Sequence, residues 1–110
     1  MIQKNREENG FVIVELEGDV VGGPDAAQLN NLVHDFVKKG RVNIIVDLSK
    51  VQLMSSSGLG ILIGALTTLR QAGGDLVLVN ITERIQNLLT ITKLSTVFKV
   101  FKTIEDAKNA

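Results

Sequence analysis

The architecture of this chain follows from the stretch Asp47-Leu48-Ser49-Lys50-Val51-Gln52-Leu53-Met54-Ser55-Ser56-Ser57-Gly58-Leu59-Gly60. Residues 42–46, just before it, are largely β-branched, which is typical of a strand, and a long apolar helical pattern follows it. A strand–turn–helix order puts three serine hydroxyls and free backbone N–H groups at the start of a helix, where a negative charge is favourable. We interpret the stretch as a binding surface that charge can switch, and not as the centre of an enzyme.

Apolar periodicity on both sides of this stretch predicts the remaining elements. The predicted strands cover 11–17, 42–48, 76–79 and 97–101, and the predicted helices cover 25–38, 57–71, 82–90 and a segment from 103. Asn9-Gly10 is a hairpin-turn sequence, so residues 1–8 are expected to pair with the first of these strands. Strands that alternate with helices favour a mostly parallel sheet. We therefore predict an α/β fold, a mixed, mostly parallel sheet with helices packed against it, as one domain over residues 1–110.

Two of the predicted strands carry apolar residues on both faces. In the first, Val12, Val14 and Leu16 point to one side, and Phe11 and Ile13 point to the other. The second contains a continuous apolar run at residues 44–46. Such strands are typical of a sheet that is covered on both sides.

The composition narrows the classes of function. The chain has a net charge of +0, no Cys, no Tyr or Trp and one histidine, His34. Disulfides are excluded, and a metal site, a cofactor or a nucleic-acid partner is not expected. No apolar run is long enough to insert into a membrane, and no signal peptide is visible, so we expect a cytoplasmic protein.

The serine turn offers a physical route to a switch. One serine suffices to cap a helix, so three in a row leave a hydroxyl that can face solvent. Phosphorylation of Ser56 would add a charge of about −1.5 to −2, which the helix N-terminus accepts and an apolar or acidic partner surface does not. Gly58 and Gly60 are expected where a neighbouring element or a partner approaches closely. The plainer alternative is a serine cap and a turn with no further role.

The chain also resembles a known family. The run from Asp47 to Gly60 is similar to the most characteristic motif of STAS domains, in particular those of bacterial anti-sigma factor antagonists. The flanking sequences agree with this resemblance, and they are Gly18-Asp19, Ala72-Gly73-Gly74-Asp75-Leu76 and Leu94-Ser95-Thr96-Val97-Phe98.

The resemblance implies a partner and a set of site residues. In this family the first serine of an Asp-Ser-Ser-Gly motif is the phosphoacceptor, and it aligns with Ser56. The implied partners are an anti-sigma factor that is itself a serine kinase and a serine phosphatase that reverses the modification. The protein would supply a surface and a hydroxyl, and no catalytic residue. The residues expected to contact the partner are Val20, Val21, Asp25, Ser55, Ser57, Gly58 and Leu59.

Two positions depart from the family pattern. Ser55 stands where the family has an aspartate, and Val21 stands where a second acidic residue is common. Ser55 is therefore a rival phosphoacceptor to Ser56. The alternative function is a STAS scaffold or adaptor that is not phosphorylated, such as a subunit of a transporter or of a signalling complex.

Other classes of protein fit less well. Asp47 ends a strand, as does the phosphoacceptor of a receiver domain, but Asp19 alone does not supply the acidic cluster that Mg²⁺ needs, so we expect Asp47 to cap the turn at 48–50. The glycine pattern after Gly58 lacks the third glycine of a dinucleotide site and the lysine of a P-loop. Met54 occupies the position where a hydrolase elbow needs glycine.

Overall fold

The computed structural model describes residues 2–110, so Met1 of the predicted 1–8 segment lies outside it. The described chain alternates strands and helices after an initial hairpin. Its elements are β1 (Ile2–Glu8), β2 (Phe11–Glu17), α1 (Pro24–Lys38), β3 (Asn43–Lys50), α2 (Ser56–Gln71), β4 (Asp75–Val79), α3 (Glu83–Ile91), β5 (Lys99–Phe101) and α4 (Ile104–Lys108).

The strands form one sheet in the order β1-β2-β3-β4-β5. β1 is antiparallel to β2, and the other three pairings are parallel, with Val14, Val46 and Leu78 side by side across the centre. Asn9 and Gly10 both have positive φ, 53° and 84°, which the tight turn between β1 and β2 requires. The predicted hairpin and the mostly parallel α/β sheet are both confirmed.

Helices cover both faces of the sheet. On the first face, α1, α2 and α3 bury Val12, Val14 and Leu16 of β2 together with the corresponding residues of β3 and β4. On the second face, Ile13 and Ile45 pack with Val79 and with Ala107 of α4. The alternation predicted for β2 and the double coverage of β3 are therefore observed.

The element boundaries differ from the prediction in two places that matter. α2 begins at Ser56, one residue early, because Ser55 caps it. β5 begins at Lys99 and not at residue 97, since the Val97 N–H donates to the carbonyl of Leu94 at 3.0 Å and closes a turn there.

Asp47 connects β3, in which it lies, to the residue that follows β4. One of its carboxylate oxygens accepts the backbone N–H of Ser49 at 2.9 Å and the side-chain amide of Asn80 at 3.2 Å. The expected turn at residues 48–50 is not observed, because β3 continues to Lys50, although Asp47 does accept the N–H of Ser49. Asp47 is the one charged residue buried in residues 2–110.

Candidate docking site at the serine turn

Ser55 is the N-cap of α2. Its extended backbone, φ −84° and ψ 169°, lets its hydroxyl oxygen accept the N–H of Gly58 at 3.0 Å, while its carbonyl accepts the N–H of Leu59 at 2.9 Å. The side chain is half-buried. The hydroxyl of the rival phosphoacceptor is thus already used to hold the first turn of the helix.

Ser56 and Ser57 occupy the first two positions of α2, and both are exposed. The first turn of α2 contains no acidic residue, whereas α1, α3 and α4 each carry one or more there. The partial positive charge at this end of α2 is therefore not offset by a carboxylate from its own first turn. An anion on the Ser56 hydroxyl would lie beside unpaired backbone N–H groups.

Val20 joins the loop after β2 to the serine turn. Its N–H donates to the carbonyl of Leu53 at 2.9 Å, and its carbonyl accepts the N–H of Ser55 at 3.1 Å. The Val20 side chain is 0% exposed, so the expectation that it contacts a partner is wrong. These two hydrogen bonds belong to a short parallel bridge between Val20 and Met54. Val20 therefore fixes the loop in place, and its side chain lies in the core.

Gly58 and Leu59 also face inward. Leu59 is 1% exposed and belongs to the core of the first face, and Gly58 is buried. A Cβ built on Gly58 would lie 1.9 Å from the Val20 carbonyl oxygen. The expectation that these two residues contact a partner is corrected, since Gly58 packs against the Val20 carbonyl and Leu59 lies in the core.

The remaining predicted contact residues lie on or near the surface. Val21 is 47% exposed, and Asp25 is half-buried in the first turn of α1. The loop approaches the helix next to the serines, because a Cβ on Gly22 would lie 3.4 Å from the Cβ of Ser57. The structure thus brings Val21 and the serine turn together as one surface.

An apolar groove beside the turn was not predicted. It has a volume of about 490 Å³, and its walls are the segment before the serines and one side of α3. Leu53 and Ile91 on its rim are 43% and 79% exposed. Two features of the sequence pointed to it: Leu53 sits in the turn segment, and Ile91 lies off the inward stripe of α3. The groove is lined by Leu53, Met54, Glu83, Arg84, Ile85, Asn87, Leu88 and Ile91.

The described residues offer little else in the way of a reactive site. Between positions 2 and 110, no three His, Asp or Glu side chains are grouped so as to hold a metal ion, and His34 is exposed on α1. No helix in that range is both long and apolar enough to cross a bilayer.

Comparison with known proteins identifies the family. The sequence model of the STAS domain matches residues 3–107, nearly the whole chain, and the chain belongs to this family. An anti-sigma-B factor antagonist of Listeria monocytogenes is 40% identical over 73 residues, which cover 66% of this chain and 62% of that protein. The chain spans less than two thirds of the length of this relative, and the same holds, at 65%, for relatives from two Thermotoga species.

Solved structures share the fold. The NMR structure of TM1081, a Thermotoga maritima protein, gives a TM-score of 0.89 at 25% identity and covers 99% of this chain and 87% of that one. SpoIIAA, an anti-sigma factor antagonist of Bacillus, has been solved unphosphorylated and phosphorylated. The two forms give TM-scores of 0.73 and 0.74 at 17% and 19% identity, covering 96% and 98% of this chain and 93% and 97% of theirs. This second likeness is one of fold alone.

Proposed function

We propose that this protein is an anti-sigma factor antagonist, which binds an anti-sigma factor and so releases a sigma factor. The name of the Listeria relative supports this role, and the family membership agrees with it. The partner is a serine kinase, and phosphorylation of the serine turn switches the protein off. A serine phosphatase restores binding, and the protein itself catalyses no reaction.

Ser56 is the acceptor in this proposal, because it aligns with the phosphoacceptor of the family and is exposed. The Ser55 hydroxyl is engaged by Gly58, whereas Ser56 is exposed at the first position of the helix. A phosphate on Ser56 adds about −1.5 to −2 charge where the helix dipole and backbone N–H groups accept it. The fold therefore tolerates the modification, and the docking surface changes its charge.

The docking surface combines the switch with exposed apolar side chains. Val21 lies on one side of the turn, and the groove with Leu53 and Ile91 lies on the other. Contact with a partner removes water from this surface, so an unpaired phosphate at its centre carries a large desolvation cost. Dissociation on phosphorylation follows from that cost without any change in the shape of the domain.

The test is mass spectrometry after incubation with the anti-sigma factor kinase of the same organism and ATP. We expect one phosphate on Ser56 of the wild type and none on Ser56→Ala. Ser57→Ala is the matched control, because it removes the neighbouring exposed hydroxyl and should leave the modification in place. Phosphate on Ser55, or modification of Ser56→Ala at the wild-type rate, would contradict the assignment.

A second candidate is an unmodified STAS scaffold or adaptor. The presence of Ser55 where the family has an aspartate favours this second candidate. Without that aspartate, no carboxylate stands directly before Ser56 to accept a hydrogen bond from the Ser56 hydroxyl. A scaffold predicts a complex with its partner that has the same lifetime with and without ATP. The antagonist predicts a complex that ATP dissociates in the wild type and leaves intact in Ser56→Ala.

A further inference from the structure

The two faces of the sheet are covered very unequally. α1, α2 and α3 lie over the first face and contribute ten buried side chains to its core. Among residues 2–110, α4 is the one helix on the second face, and it is five residues long. Ala107 is its one buried residue, and Ile104 is half-buried beside it.

We propose that α4 is a detachable cover, which leaves the sheet while the other elements stay folded and thereby exposes an apolar second face. This inference is independent of the serine turn, because α2 lies on the opposite side of the sheet.

The polar contacts that hold α4 are few, and one of them reaches β1. Thr103 caps it by accepting the N–H of Asp106 at 3.1 Å, and the Lys108 ammonium bridges Glu8 of β1 and Glu105, both at 3.1 Å. A helix of this length is unstable in water on its own, so it stays formed only while docked. Segments held by little buried apolar area open at a lower free energy than the core does.

Detachment of α4 would expose to solvent side chains that are otherwise buried. Ile13, Ile45 and Val79 are each 0% exposed, and they form one cluster with Ala107. Phe11, Val77 and Phe101 border that cluster. The face under α4 is therefore a contiguous apolar surface on strands β2 to β5, which a detached α4 makes accessible without unfolding the sheet.

Single-cysteine variants test this directly, because the chain contains no native cysteine. Val79 and Leu78 are neighbours in β4, both 0% exposed, and they point to opposite faces. In Val79→Cys the thiol lies beneath α4, and in Leu78→Cys it lies beneath the other helices. Reaction of each folded variant with a thiol reagent is followed by mass spectrometry over a range of low urea concentrations.

We expect Val79→Cys to react at least about tenfold faster than Leu78→Cys, with a rate that barely depends on urea, because local opening exposes little surface. Adding Ile104→Ala should accelerate Val79→Cys further by about threefold or more, since it removes apolar contact from α4. Adding Val33→Ala, in the core of the first face, should accelerate Leu78→Cys and leave Val79→Cys unchanged.

Equal rates for the two variants, with the same urea dependence and the same response to Val33→Ala, would overturn the proposal. That result would mean that α4 separates from the sheet only when the whole domain unfolds. If either variant fails to fold by circular dichroism, Ile45→Cys and Val46→Cys form a second neighbouring pair, on the second and first faces respectively.

Discussion

At the scale of single residues, the contact between Gly58 and the Val20 carbonyl determines how the serine turn is presented. The carbonyl lies so close to Gly58 that no other residue fits without movement of the backbone. The same carbonyl accepts the N–H of Ser55. One oxygen atom therefore positions both the cap of α2 and the loop that carries Val21.

Two glycines on α2 should respond to substitution in opposite directions. Gly58→Ala forces the helix away from Val20 and should lower the free energy of unfolding by about 1–3 kcal/mol. Gly60 is exposed, and a Cβ added there would meet no other part of the chain within 4 Å, so Gly60→Ala should raise the free energy of unfolding by up to about 1 kcal/mol. Urea unfolding of both variants measures the difference, and equal effects would show that the close approach at Gly58 does not constrain the turn.

At the scale of elements, the serine turn is the end of a helix and also one wall of the groove. The segment with Leu53 crosses from β3 to α2, and α3 forms the other wall with Ile91 at its end. An apolar side chain of a partner that enters the groove would thus contact the segment that leads to Ser56. In the proposed function, the groove would supply binding energy and Ser56 would supply sensitivity to phosphate, so the two properties would be carried by different residues.

Substitutions in the groove should weaken partner binding without affecting the fold. Ile91→Ser and Leu53→Ser each remove an exposed apolar side chain, and each should weaken binding to the anti-sigma factor by about tenfold. Ile2→Ser is the matched control, because Ile2 is also an exposed apolar residue but lies on the edge strand β1. Titration by calorimetry, with urea unfolding in parallel, separates binding from stability. Unchanged affinity in both groove variants would show that the groove is not part of the docking surface.

Element positions could be predicted from the sequence because periodicity reports which face of a strand or helix is apolar. The two-sided apolar pattern of β2 and β3 was sufficient to predict a sheet with helices on both faces. The burial of Val20 could not be assigned in this way, since it comes from the approach of the Val20 loop to Met54 and Gly58, which are distant in sequence. Periodicity carries no information about such an approach.

At the scale of the whole molecule, ion pairs connect the two ends of the described chain. Glu8 contacts Arg6 within β1, and it contacts Lys108 of α4 at 3.1 Å. At the opposite side of the sheet, Asp75 contacts Lys99 at 3.0 Å and Arg70 at 3.4 Å, which joins β4 to β5 and α2. The first of these contacts joins β1 and α4, two elements that bury few side chains of their own.

Stability should fall in acid, in part through Glu8. The hydrogen bonds from Arg6 and then from Lys108 lower the pKa of Glu8 below its ordinary value of 4.5. In the unfolded chain Glu8 has its ordinary pKa, so between the folded pKa and pH 4.5 the unfolded chain binds more protons than the folded one. The stabilisation that Glu8 provides is therefore present above pH 4.5 and is lost as the pH falls through the folded pKa.

Urea unfolding near neutral pH and again below pH 4.5 checks this contribution. Glu8→Gln should lose less stability between the two conditions than the wild type does, because it has no carboxylate to protonate. Glu7→Gln is the control, since it removes the adjacent carboxylate, which pairs with Arg41, and leaves the Glu8 contacts intact. An identical acid response in the wild type and Glu8→Gln would assign the loss of stability to other groups.

The position of β1 at the rim of the sheet has a consequence for self-assembly. An outer strand offers unpaired main-chain groups, which invite a second copy to extend the sheet. If two β1 strands met antiparallel about Asn5, Lys4 of each copy would face Arg6 of the other, and like charges directly opposite one another repel. In that register, the charges of β1 would therefore oppose extension of the sheet by a second copy.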